Sequence, residues 1–284
     1  MKETKAEYLP INKLRPFEGH PFYVKDDEEM AQLTESILQQ GVLTPLVVRP
    51  LPNDEYEVIS GHRRLHACKK AGIEMIPALI RDMDRNDAAI ALVDSNLHRE
   101  HILPSEKAFA YKMKMDALSR QGKRTDLTLS QVATKLDNAA EIGKQQGESR
   151  DTVFRYIRLT NLIPGILQKV DEGKIALTPA VELSCLGEWE QVDLLETMES
   201  EDCTPSLSQA MLLKATSQAG QLTMDKIFTI MTQPKPNQQE KISFKVSEIR
   251  EYFPRGYTAS QMTRDILKGL ELLRQHRQRN RDAR

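Results

Sequence analysis

Ile59-Ser60-Gly61-His62-Arg63-Arg64-Leu65-His66-Ala67-Cys68-Lys69-Lys70-Ala71-Gly72 is the stretch on which the fold of this 284-residue chain turns. A β-type run, Tyr56, Val58 and Ile59, ends at Ser60-Gly61 and passes straight into a helical pattern. Gly61 lets the backbone come close to a ligand. The first turn of the helix offers unpaired N–H groups and the positive end of the dipole, and Arg63 and Arg64 add forked donors. Such a junction suits a phosphate. The same residues also fit a plain glycine turn with two solvated arginines, so the surroundings of the stretch decide between the two readings.

Upstream, Tyr8–Ile11 reads as a short strand, and Asp26–Gln40 as an amphipathic helix with acids in its first turn and Gly41 as its stop. Leu46–Arg49 and Tyr56–Ile59 are predicted strands joined through Pro52-Asn53-Asp54, and Ile76–Ile80 is one more beyond the helix. Strands mixed with helices up to about residue 95 predict a compact α+β domain.

About thirty residues past the glycine comes a second polar cluster, Asp94-Ser95-Asn96-Leu97-His98-Arg99-Glu100-His101-Ile102-Leu103-Pro104-Ser105-Glu106-Lys107-Ala108. From Asp87 to Lys241 no strand is predicted. Helices are expected over Asn86–Asn96 and Pro104–Ser119, then from a Thr128-x-x-Gln131 capping box. Within Ala139–Leu162 the spacing follows a helix-turn-helix: Gly143 takes the small-residue position, Gly147 the turn, and Ile142, Val153 and Tyr156 the apolar supports. Gln146 and Glu148 stand where apolar residues are usual, so the match is partial. Ser149 can cap the second helix, which presents Ser149, Arg150, Thr152, Arg155 and Arg158 as candidate DNA contacts; a helical hairpin with a solvated basic face fits the pattern equally well.

Thr178-Pro179 reads as a cap followed by a first-turn proline, and Ser206-x-x-Gln209 as another capping box. Pro234-Lys235-Pro236-Asn237-Gln238-Gln239 is the clearest linker. After it, Lys241–Val246 alternates like a strand, Ser247–Phe253 reads as a short helix, and Thr258-x-x-Gln261 caps a last helix to about Arg274, followed by a frayed basic tail. The expected division is 1–100, 101–220 and 221–284.

Net charge is −1 with 29% charged residues, which excludes a globally basic nucleic-acid binder and leaves local patches, Arg63–Lys70, Lys144–Arg158 and Arg274–Arg284. Cys68, Cys185 and Cys203 are too scattered for a disulfide framework or a zinc ribbon. The opening MKETKAEYLP has no apolar signal-peptide core, and no run of eighteen apolar residues occurs, so a cytoplasmic protein without a membrane partner is expected.

Three segments together resemble the nucleotide-binding boxes of the ParB family of chromosome and plasmid partition proteins: Gly41-Val42-Leu43-Thr44-Pro45-Leu46-Val47-Val48-Arg49, Gly61-His62-Arg63-Arg64-Leu65-His66-Ala67, and the run from Ser95 to Ala108. Ser149-Arg150-Asp151-Thr152-Val153-Phe154-Arg155-Tyr156-Ile157-Arg158-Leu159 is similar to the family's helix-turn-helix signature. The resemblance implies an α+β ParB/sulfiredoxin-like domain, an all-α helix-turn-helix domain at about 139–162 and a small α+β self-association domain. It implies CTP with Mg2+, a dimeric clamp on a specific short site in double-stranded DNA, a ParA-like ATPase partner, and residence on nucleoid or plasmid. Carried over by position, Thr44, Ser60, Gly61, Arg63, Arg64, Asn96, Arg99 and Glu100 would hold the nucleotide, with Asn96 and Glu100 nearest any chemistry. His62, Thr44 and Ser95 stand where the family has Glu, Gln and Glu. The last of these Glu residues helps hold the metal in the family. Asp94 is the candidate replacement, though one position along a helix turns a side chain by about 100°. Binding without brisk hydrolysis is therefore expected.

Four other chemistries fit parts of the pattern. A ParB-like transcription regulator would share the whole architecture. A metal site from His62, His66, His98 and His101 lacks a completing acid or thiol. Ser60-Gly61-His62-Arg63 is similar to the Gly-Cys-His-Arg signature of sulfiredoxin, but its thiol position holds Gly61. A nuclease would need a carboxylate cluster, for which Asp94 and Glu100 are the acids best placed.

Overall fold

The structure is a computed structural model that describes residues 6–99, 101–122, 131–233, 249–254 and 256–282. Two compact units result, Met1–Gln233 and Pro234–Arg284.

The first unit opens with a mixed sheet of β1 (Glu7–Pro10), β2 (Leu14–Pro16), β3 (Leu46–Leu51), β4 (Glu55–Ser60) and β5 (Met75–Ile80), in the spatial order β1-β5-β3-β4-β2. β3 and β4 form an antiparallel hairpin whose connection holds Asn53 at φ 66° and Asp54 at φ 58°, a left-handed pair that these residue types tolerate. β5 runs parallel to β3, and β2 runs parallel to β4 at the sheet edge. The three-residue β2 is not among the predicted strands. Its Pro16, which has no N–H to donate, is tolerated because the strand is an edge. Helices α1 (Glu28–Gln40) and α2 (His62–Lys70) pack on this sheet. The Asp27 carboxylate caps α1 by accepting from the Met30 N–H at 2.9 Å, and Gly41 ends it at φ 73°. Met30, Ile37, Leu65, Ala67 and Cys68 from the helices bury against Leu46, Val48, Val58, Ile76 and Ala78 from the sheet. Full burial of each large side chain contributes about 1.5–3 kcal/mol.

The rest of the unit is helical: α3 (Arg85–Asn96), α4 (Pro104–Gly122), α5 (Gln131–Gln146), α6 (Arg150–Arg158), α7 (Pro164–Asp171), α8 (Leu177–Leu183), α9 (Glu188–Ser200), α10 (Leu207–Gln218) and α11 (Met224–Thr232). One core continues from Phe17, Phe22 and Ile59 through Leu92 and Val93 of α3 and Tyr111 of α4 to Ile142 of α5 and Val153 of α6. The α+β part and the helix-turn-helix thus share buried contacts. A separate core from Leu159 to Met231 closes the bundle. α8 starts one residue before the predicted cap, with Ala176 in that role in place of Thr178, which leaves the Thr178 hydroxyl for another partner. Thr128 of the predicted capping box lies outside the described residues, and so does Glu100.

In the second unit the linker 234–239 and the strand 241–246 lie outside the described residues. Within the helix predicted over 247–253, residues 247 and 248 lie outside the described residues, Ile249 is helical and Arg250–Tyr252 is a 3-10 turn. The capping box of Thr258 and Gln261 is formed, with the Thr258 N–H donating to Oε1 of Gln261 at 2.8 Å. It opens α12 (Ala259–Asp282), which runs past Arg274 through the tail expected to fray. Arg, Gln and Asn at these positions carry little helix penalty, and no Gly or Pro interrupts them. Among the described residues, no helix is long and apolar enough to cross a membrane.

Candidate functional site

Gly61 caps α2 in the left-handed region, at φ 104°, at the point where β4 hands the chain to the helix. A Cβ there would sit 3.0 Å from the Leu46 side chain and 3.1 Å from the Arg64 guanidinium, so glycine is required both by torsion and by space. Ser60, the last residue of β4, pairs with Val47 beside a register shift in β3. The Arg64 Nη1 donates to the carbonyl oxygens of Thr44 and Pro45, the latter at 2.8 Å. The box at 41–49 and the box at 61–67 are therefore tied together by one guanidinium. Burial lowers the Arg64 pKa, as expected for a cation met by dipoles without a full counter-charge.

Arg63 donates to Glu29 at 3.0 Å across the start of α1. Arg99, from the third box, lies over the Phe22 ring with its guanidinium carbon 5.6 Å from the centroid. Burial depresses the Arg99 guanidinium, Glu106 opposes that, and repulsion from Arg63 adds to it. Arg63 and Arg99 are thus close enough to feel each other. Of the predicted nucleotide contacts, Arg64 stands against Gly61 and holds the Thr44 carbonyl, while the charge of Arg99 is felt at His62 and that of Arg63 at Arg99.

His62 points inward. Its Nε2 accepts from the Phe17 N–H at 3.4 Å, and its ring lies 3.8 Å from that of His20, centroid to centroid. Burial, with repulsion from His20 and Arg99, pushes the His62 imidazole down to about 3, so it is neutral at physiological pH. The His20 Nδ1 lies 2.7 Å from the Phe22 carbonyl and must donate to it, which leaves the buried Nε2 as an acceptor without a partner. His66 is bonded to Asp26 at 2.8 Å, so the two histidines of this helix do not meet on one ligand. Among the described residues, no group of three or more His, Cys, Asp or Glu could hold a metal ion. Burial raises the Cys68 thiol, the opposite of an activated nucleophile.

The third box places its polar groups differently from the sequence expectation. The Asn96 amide is buried and donates to the Leu92 carbonyl at 2.8 Å and to Ser95 Oγ at 3.2 Å. The Ser95 hydroxyl donates to the same carbonyl at 2.9 Å. Asp94, the candidate metal ligand, gives its carboxylate to Lys114 instead. Glu106, to which the sequence reading gave no role, is 7% exposed and accepts from the N–H groups of Tyr23 at 2.7 Å and Leu103 at 3.0 Å. It fixes the segment bearing Phe22 against the entry to α4. The glutamate stood in view within the Pro-Ser-Glu run, whereas the partnership of His20 with His62 had no signal in sequence.

At the helix-turn-helix, Ser149 caps α6, its Oγ accepting from the Thr152 N–H at 3.1 Å. The Thr152 and Ser149 hydroxyls are 2.9 Å apart. Arg150 and Arg158 are exposed, while the Arg155 Nη2 donates to the Thr178 hydroxyl at 2.5 Å. Gly143 admits the following turn: a Cβ on it would stand 2.6 Å from the Glu148 carbonyl oxygen. Glu148, polar where an apolar residue is usual, is satisfied by Lys107 and by the Tyr111 hydroxyl at 2.9 Å.

A glycine-capped helix start with arginines beside it, on a small mixed sheet, is thus followed along the chain by a helix-turn-helix. A family model for the ParB N-terminal domain matches residues 1–97. The chain is 30% identical over 272 residues to a probable chromosome-partitioning protein ParB of Vibrio cholerae, spanning 95% of this chain and 86% of that one. It is 36% identical over 178 residues to the stage 0 sporulation protein J of Bacillus subtilis, spanning 62% of this chain and 56% of that one. The C-terminally truncated ParB of Caulobacter crescentus matches in its complex with the centromeric parS site (22% identity, TM-score 0.42, 74% of this chain and 99% of that one). In its complex with CTP-γ-S it matches at 25% identity and a TM-score of 0.32, over 68% of this chain and 98% of that one. The chain belongs to the ParB family of chromosome-partitioning proteins.

Proposed function

We propose that this chain is a site-specific DNA-binding partition protein that binds a centromere-like site and CTP and works as a homodimeric clamp. The observation that carries the reading is the left-handed Gly61 at the start of α2 with the Arg64 guanidinium against it, bonded to carbonyl oxygens and to no carboxylate among the described residues. A triphosphate supplies the negative charge that such a group lacks. Thr44, Ser60, Gly61, Arg63, Arg64, Asn96, Arg99 and Glu100 form the proposed nucleotide set. Ser149, Arg150, Thr152, Arg155 and Arg158 form the DNA set.

The fit is to the triphosphate and not to the metal. Asp94 is tied to Lys114, Ser95 has a neutral hydroxyl engaged by its own helix, and no group of three or more His, Cys, Asp or Glu among the described residues forms a ready-made cage for Mg2+. We propose slow turnover at most, with Asn96 and Glu100 nearest the reacting phosphate. The proposed division of labour is nucleotide binding over 1–100, DNA binding over 101–220 and self-association over 221–284. A cytoplasmic, nucleoid- or plasmid-bound location and a ParA-like ATPase partner go with it. Calorimetry of the full chain with CTP, alone and with a duplex selected by this protein from a random library, tests the reading. CTP binding together with a protected site is the expected result, and the absence of both overturns it. Phosphate release then compares wild type with Ser95→Glu, for which a higher rate is expected.

A further inference from the structure

α4 carries two cations on one face, the partly buried Lys107 and the buried Lys114 seven residues on, and each spans from the box segments to the helix-turn-helix. Lys107 adjoins Glu106, which holds Tyr23, and pairs with Glu148 in the turn just before α6. Lys114 is 2% exposed, and its ammonium donates to Asp94 on α3 and to Gln145 near the end of α5. Asp94 lies two residues before Asn96, and Gln145 lies four before the Ser149 cap.

A lysine ammonium is a costly object to bury, and a methionine of similar length would fill the same space without that cost. Packing therefore does not account for the charge. What the charge adds is a positional demand: the ammonium is satisfied only when α3 and α5 both stand in the places seen here. A slide of either helix takes away one of the two partners of this buried ammonium. We propose that Lys114 is the positioning residue that couples the nucleotide cradle to the recognition helix, by making one register of α3 and α5 stable and others not. This rests on the reading of the two sites given above. A ligand that favours the register at one end then favours it at the other, and linkage requires the effect to be reciprocal.

The test uses the full chain, CTP and the selected duplex. The affinity for each ligand is measured with and without saturating amounts of the other, for wild type, Lys114→Met and Gln145→Leu. Wild type is expected to show a coupling factor within the usual range of about 5–150-fold, equal in the two directions. Lys114→Met should keep each separate affinity within about threefold while its coupling factor falls to within about twofold of unity. It should also melt no lower than wild type, since Asp94 is 40% exposed on its side chain and Gln145 is exposed, so neither is stranded in the core. Gln145→Leu should reduce coupling in the same sense while leaving the bond to Asp94 in place. A Lys114→Met protein with undiminished coupling overturns the inference, as does one that loses stability or both separate affinities, because Lys114 would then be only a structural residue. A wild type that binds both ligands without coupling overturns it too. A wild type that binds no CTP fails the underlying reading itself, and is distinguished by its first titration.

Discussion

The cations around Gly61 and those along α4 make an instructive pair. At Gly61, Arg64 donates to carbonyl oxygens and is depressed by burial, while Arg99 lies over a ring and is depressed by burial with Glu106 offsetting only part of it. Along α4, Lys107 and Lys114 meet the carboxylates of Glu148 and Asp94. The residue types are alike, and the counter-charge differs. A buried cation held by dipoles keeps most of its attraction for an incoming anion, whereas one matched to a carboxylate has already spent it. The first arrangement therefore reads as a binding site and the second as a joint.

The sharpest way to break this contrast is Glu148→Ala, which strands Lys107 and the Tyr111 hydroxyl. Removing one partner of a fully buried pair costs about 3–5 kcal/mol. With both side chains 20% exposed, a loss of about 2–3 kcal/mol is expected in urea unfolding, with DNA binding weakened and CTP affinity kept.

Arg63→Ala and Arg64→Ala test the other side. Each should weaken CTP binding by about 1.5–3 kcal/mol in calorimetry. Arg64→Ala should also lower the melting temperature, because the loop at Thr44-Pro45 loses its tie to α2. Arg64→Lys should recover little, since a single ammonium cannot reproduce the fork. If Arg64→Ala binds CTP normally, the dipole-held cation is structural and the contrast fails.

Acid offers a smaller and graded effect. His62 is neutral in the folded chain down to about pH 3, while the unfolded chain protonates it near 6.5. Between those values the unfolded state binds the extra proton, so stability falls as pH falls, by up to about 1.4 kcal/mol per pH unit. The loss begins below about 6.5 and levels off near 3. Urea unfolding at pH 7 and pH 5 should show a decrease of about 1–2 kcal/mol, and His62→Gln should flatten it. His20 is also lowered by burial and adds in the same direction.

The smallest expected change is at the DNA surface. Arg150→Ala should reduce specific binding by about 1 kcal/mol and lower the salt slope by about one charge if Arg150 contacts phosphate. Arg155→Ala should do the same while also releasing Thr178. Footprints left unchanged by both return α6 to a solvated hairpin.

Much of the fold was legible because glycine and proline punctuate it. The β3–β4 hairpin, the stop at Gly41 and the Ser149 cap all follow from local rules that act over a few residues. β2 escaped because three residues carry no period, and its pairing with β4 comes from residues some forty positions away. The box arginines were legible as a group, but the division of tasks among them was not. Arg63 and Arg64 look equivalent in sequence, yet one reaches α1 and the other bridges two carbonyls. Lys114 gave no sign at all, since a lysine on a long helix ordinarily points to water. Its burial depends on Asp94 and Gln145, contributed by two other helices.

Two glycines four residues apart, Gly143 and Gly147, set different rules for variation in the same turn. Gly147 is held by torsion alone, at φ 67° with nothing near its missing side chain, so asparagine or aspartate can stand there at modest cost. Gly143 has an ordinary helical torsion and no room, so its prohibition is one of volume and extends even to alanine. In a library that samples every residue at both positions, 147 should therefore return a small polar vocabulary and 143 a single letter. The pattern of survivors would distinguish a hinge that must bend from a surface that must touch.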